Sequence, residues 1–116
     1  MDNEGLEQFT VVKLWVCFAE DRDQGKDRWA IVLQQDGAQV QLLWASTQQV
    51  CPSAVQPWEF CVTDSKEMAT MGHTKPARYS FRRGGVIVVK ATDINEVVGT
   101  APKSVVDRLV RAARQS

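Results

Sequence analysis

The dipeptide Asp36-Gly37 constrains this chain more than any other feature. It separates two apolar stretches, "WAIVLQQ" and "AQVQLLW", and Asp-Gly flanked by alternating apolar residues is the strongest short-range signal for a β-hairpin. In the second arm Val40, Leu42 and Trp44 alternate with Gln39, Gln41 and the apolar Leu43. One face of that strand is therefore buried and the other only partly wet.

The rest of the chain is read outward from this hairpin. "TVVKLWVCF" (Thr10 to Phe18) is rich in β-branched and aromatic residues and predicts a strand, and the polar "AEDRDQGKDR" after it predicts a loop. "ASTQQVCPSAVQP" reads as loop and "WEFCV" as a short strand. A long connection then has room for one helical turn around Lys66 to Met71. "GGVIVVK" is a further strand, with Gly84 and Gly85 marking a bend or bulge at its entrance. "ATDINEVVG" reads as a short apolar turn with Thr92 and Asp93 as capping residues. The last segment is the cleanest helix: Thr100 can cap it, Pro102 suits its first turn, and Val105, Val106, Leu109, Val110 and Ala113 form one apolar stripe. The expected architecture is a polar lead over 1–9 and one mainly β domain over 10–116. In it a curled antiparallel sheet is sealed by a helix over 102–114.

Composition agrees. At 116 residues with 44% apolar content the chain can bury a core without disulfides or a structural metal. No apolar run approaches the ~20 residues of a membrane span, and the acidic start "MDNEG" does not predict an export signal. Cys17, Cys51 and Cys61 are odd in number and widely spaced, so they read as buried small hydrophobes in a reducing cytoplasm. Charge is balanced overall but uneven. Residues 1–23 are acidic, whereas Lys75, Arg78, Arg82 and Arg83 form a local basic stretch that hints at an anionic partner.

Phosphate-binding glycine loops, paired metal-ligating histidines and nucleophile elbows are all missing from the sequence. What remains is a pattern over three segments: "KLWVCF" with "GKDRWAIVL", then "VQLLWASTQ", then "KPARYSFRRGGVIVVKATDINEVVGTAPKSVVDRLVRA". In this order the chain resembles the PemK/MazF (Kid-like) toxins of bacterial type II toxin–antitoxin systems, from about Val11 to Ala113. The resemblance implies a compact SH3-like barrel of antiparallel strands with a terminal helix. It also implies a metal-independent endoribonuclease that needs no cofactor, acts on single-stranded RNA, is neutralised by an antitoxin protein and works as a homodimer. By position, Arg28 takes the place of the family's arginine, as phosphate clamp and candidate acid, and Ser46 and Thr47 that of its hydroxyl pair. Trp29 stands where the family has proline, and Cys17 where it has an acid.

The general base is open among Glu20, Asp21, Asp23, Asp27 and His73, the last being the chain's sole histidine. Trp29, Lys75, Arg78, Tyr79 and Arg82 are candidates for RNA binding, with Tyr79 and Phe81 stacking on bases between phosphate-binding arginines. Each candidate also has an ordinary reading. Arg28 can be a surface residue ending a loop, Ser46 and Thr47 turn residues, His73 a solvated loop side chain, and "KPARYSFRR" a strand with an exposed basic face. Trp15, Trp44 and Trp58 are expected in the core. Two other functions are compatible with the sequence: a barrel without catalysis that binds RNA or a protein, and a regulatory partner with no nucleic-acid role.

Overall fold

The computed structural model describes residues 6–18, 21–47, 50, 55–82 and 84–116, and for 15–18 and 21–27 it describes the backbone alone. Its elements are β1 (Thr10–Phe18), β2 (Asp21–Asp36), β3 (Gln39–Ser46), β4 (Glu59–Val62), α1 (Ser65–Met71), β5 (Ala77–Ser80), β6 (Val86–Lys90), β7 (Ile94–Thr100) and α2 (Lys103–Arg114). All pairings are antiparallel, in the order β4-β5-β3-β2-β1-β7, with β6 also on β3.

The hairpin is where it was expected, one residue displaced. Asp36 pairs with Gln39, so the two-residue loop is Gly37-Ala38 rather than Asp36-Gly37. Gly37 has φ 61° and Ala38 stays out of the left-handed region, the signature of a II′ turn with glycine first. From this hairpin the strands curl. β3 pairs with β6 along Gln39–Leu43 on its free side, and β1 carries β7 on the opposite edge. Yet β6 and β7 are joined by one 3-10 turn, Ala91–Asp93. So short a link between the two edges of a five-stranded layer requires the layer to roll into a barrel. Among the described residues no hydrogen-bonded pairing joins β6 to β7, so the barrel is curled but not closed.

Rolling divides the apolar residues into two cores. Val12, Leu14, Ala30, Val32, Val40, Leu42 and Ala91 fill one, with Ile87, Val89, Ile94 and Trp44 around them. Strand alternation sends their neighbours Val11, Ile31, Leu43 and Ala45 to the other face. There they meet Phe60 and Val62 of β4, Ala77 and Tyr79 of β5, Met71 of α1, and Val105, Leu109 and Ala112 of α2. α1 begins at Asp64, whose carboxylate accepts from the Lys66 and Glu67 amides at 3.0 and 3.1 Å. It is tied to α2 by Glu67, which pairs with Arg108 and accepts from Ser104 Oγ at 2.6 Å.

Five expectations need correction. Residues 21–28 are strand, not loop, because β1 stays extended and offers them a partner: Leu14 faces Arg28 and Val16 faces Lys26. Residues 94–100 are strand, not turn. Two register shifts against β1 let this segment wrap the barrel edge. Thr100 consequently ends β7, and α2 starts behind Pro102 without a side-chain cap. The buried stripe of α2 is Val105, Leu109 and Ala112, which meet Phe60 and Val62 of β4 in one core, and Val110 is turned outward at 36% exposure. Of the cysteines, Cys61 is half-buried rather than buried; Cys17's side chain and Cys51 lie outside the described residues. No described helix is long and apolar enough to cross a membrane.

Candidate functional site

Beyond Leu43 the free side of β3 leaves β6 and takes up β5 instead, with Ala45 opposite Tyr79 and Ser46 opposite Arg78. β5 in turn pairs with β4, with Cys61 opposite Arg78 and Glu59 opposite Ser80. Residues directly opposite share a face. Ala45, Tyr79 and Phe60 therefore point into the helix-covered core, and Ser46, Arg78, Ser80 and Glu59 point away from it. The second group lines a cleft of about 230 Å³ together with Trp44, Arg82 and Gly85.

Two aromatic–cation pairs frame the cleft. The Arg28 guanidinium stands 4.7 Å from the centre of the Trp44 ring and donates to the Ala45 carbonyl at 3.3 Å. Trp44 is fixed by its own Nε1, which donates to the Gly84 carbonyl at 2.6 Å. Arg82 lies 3.9 Å over Trp58 and donates to the Gln115 carbonyl at 3.5 Å. Burial lowers the Arg28 pKa from its ordinary value. Among the described residues the cleft and its rim carry the guanidiniums of Arg28, Arg78 and Arg82 and the Glu59 carboxylate, and the planar forks suit phosphate oxygens.

The structure thus brings together Arg28, Ser46, Arg78 and Arg82 of the sequence-derived candidates. The others do not join them. Thr47 follows the end of β3, half-buried and outside the cleft lining, and Lys75 is exposed in the connection from α1 to β5. Trp29 faces the opposite side of β2 from Arg28, as strand neighbours must, and stacks on His73 at 4.1 Å between ring centres. Tyr79 is fully buried, stacked on Phe60 at 5.1 Å, and cannot meet a base. Of the tryptophans expected in the core, Trp44 is half-buried, packed on the barrel core and lining the cleft, and Trp58 is half-buried beneath Arg82; the Trp15 side chain lies outside the described residues. The acidic base candidates Glu20, Asp21, Asp23 and Asp27 likewise belong to the stretch whose side chains are not described.

Sequence reasoning missed Glu59. Its neighbours "PWEF" carry no motif, and only the β4–β5 register brings it to the cleft.

His73 is the other reversal. Rather than solvated it is 6% exposed, with Nε2 2.8 Å from the Tyr79 hydroxyl. Burial pushes its pKa down to about 4, the Met71 backbone offsetting this only in part. A ring so placed is unsuited to shuttle protons for a ligand in the cleft, but it couples stability to pH. The unfolded histidine titrates near 6.5 and the folded one near 4, so between these values the unfolded state binds more protons. Stability is full above pH 6.5 and falls as the pH is lowered through that window, by about 2 kcal/mol at pH 5. Thermal melts at pH 7 and pH 5 measure this. His73→Gln should remove most of the dependence above pH 5, since no other histidine is present.

A curled barrel of five strands extended by an antiparallel strand pair and covered by a C-terminal helix is the PemK/MazF-type toxin fold, and this chain has it. Among solved structures it resembles the Mycobacterium tuberculosis toxin MazF-mt6, with a TM-score of 0.65 over 91% of this chain and 93% of that one. Sequence identity over the match is 14%, so the likeness is one of fold. No protein-family model matches the sequence, and no curated protein matches it.

Proposed function

We propose that this chain is a metal-independent endoribonuclease of the PemK/MazF kind, acting on single-stranded RNA in the cytoplasm. The observation that carries this reading is that Ser46 and Arg78 line one cleft whose Trp44 wall carries Arg28 on its ring, so that three strands and three distant parts of the sequence meet there. In the reaction the ribose 2′-hydroxyl attacks the adjacent phosphorus while its proton passes to a base. The bond to the 5′-oxygen breaks, and that oxygen takes a proton from an acid. Arg28 clamps the phosphate, and burial, which lowers its pKa, makes its proton easier to give to the leaving oxygen. Ser46 donates a hydrogen bond to the developing oxyanion, Arg82 holds a flanking phosphate, and Arg78 faces the bound RNA from β5. A homodimer and an antitoxin protein that covers the cleft complete the proposal, on the strength of the family resemblance.

Purified protein incubated with mixed-sequence single-stranded RNA in excess EDTA should release fragments ending in 2′,3′-cyclic phosphate and 5′-hydroxyl. A second reading, a barrel that binds RNA without cutting it, is favoured by one observation: Arg28 is already engaged by the Ala45 carbonyl and the Trp44 ring. Intact RNA in that assay, with binding that weakens as salt rises, would put the second reading in place of the first.

A further inference from the structure

We infer that the cleft reads guanine, with the Glu59 carboxylate on the Watson–Crick edge of one unstacked base and the Arg78 guanidinium on its O6/N7 edge. The inference rests on the cleft being an RNA site and adds which base it accepts.

Glu59 lies opposite Ser80 and Arg78 opposite Cys61. The two are diagonal neighbours on one face of adjacent strands, about 7–8 Å apart, within reach of long side chains across a ligand. They do not neutralise each other: the ion pairs among the described residues are Lys103–Asp107 and Arg108–Glu67. The Gln56 backbone N–H donates to Glu59 Oε1 at 3.1 Å, which steadies the carboxylate and leaves its other acceptor positions to a ligand. At about 230 Å³ the cleft falls below the ~300–1,000 Å³ of pockets that take whole drug-sized molecules, and suits one base.

An ionised carboxylate only accepts hydrogen bonds. Guanine alone among the RNA bases offers two adjacent donors, N1–H and the 2-amino group, to fill both oxygens. Adenine and cytosine set an acceptor nitrogen beside their one amino group, and uracil sets carbonyls on both sides of N3–H. A guanidinium only donates, and guanine presents two adjacent acceptors, O6 and N7, where adenine presents N7 beside a donor. The acidic and the basic wall of the cleft therefore select the same base by independent rules.

The test is binding of the 3′-monophosphates of guanosine, inosine, adenosine, cytidine and uridine, followed by calorimetry at pH 7. Guanosine should bind about tenfold or more tightly than adenosine, cytidine or uridine. Inosine, which lacks the 2-amino group, should fall between. Glu59→Gln, checked by thermal melt for an unchanged fold, should flatten the series. Equal binding of guanosine and adenosine, or of guanosine and inosine, overturns the inference, and so does a preference that survives Glu59→Gln. Binding is the readout because loss of a catalytic base at Glu59 would also stop cleavage. RNA cutting without guanosine-selective binding overturns this inference and leaves the cleavage reading standing; selective binding without cutting does the reverse.

Discussion

Arg28→Ala is expected to slow cleavage of single-stranded RNA by about 10²–10³-fold, the usual cost of removing one donor aimed at a developing oxyanion. The loss should fall on the rate of cutting more than on RNA affinity, because Arg78 and Arg82 remain in the cleft to hold the RNA. Arg28→Lys keeps the charge without the planar fork and should recover little. The fold should survive both changes. Arg28 contributes a cation–π contact with Trp44, worth roughly 0.5–1 kcal/mol, and one hydrogen bond to Ala45. A melt lowered by only a few degrees beside lost cutting would assign the arginine to chemistry. Undiminished cutting by a folded Arg28→Ala protein would move the phosphate clamp to Arg78 or Arg82.

Gly85→Ala should destabilise the protein by about 3 kcal/mol or more, lowering the melting temperature by roughly 10–20 °C. A methyl group built at Gly85 would sit 1.7 Å from the Ser80 carbonyl oxygen, and no rotation of a side chain relieves a clash with backbone. The same glycine accepts from the Trp44 amide at 3.0 Å and donates to the Arg82 carbonyl at 3.3 Å, so moving it also disturbs the cleft wall. Gly84 is the control. Its φ of +77° favours glycine, but the space around it is open, so Gly84→Ala should cost only about 1–2 kcal/mol of backbone strain. Melts of the two variants side by side test the assignment; equal losses would show that close packing at Gly85 does not govern the site.

That pair of glycines illustrates how far the sequence can be read. A bend between the basic segment and "GVIVVK" was legible from Gly84-Gly85, because glycine pairs at strand entrances mark bends. Which of the two is irreplaceable was not, since the atom that forbids a side chain belongs to Ser80 of another strand. The candidate site divides in the same way. Arg28 and Ser46 were reached through the family resemblance, whereas nothing in the local sequence of Tyr79 or Glu59 shows that they end on opposite faces of one small sheet.

By itself, then, the sequence determined what depends on near neighbours. The glycine that gives the hairpin its left-handed residue, the alternation along β3, the proline before α2 and enough apolar residues for a core all act within a few positions of themselves. The tertiary structure decided everything that depends on register. Pairing with β1 made strands of residues 21–28, against their polar composition, and of residues 94–100, which read as a turn, because backbone hydrogen bonds to an extended partner outweigh weak local preference. Register against β3 and β4 buried Tyr79 beneath His73 and turned Arg78 and Glu59 to one cleft. A slip of one residue would have exchanged every one of those faces.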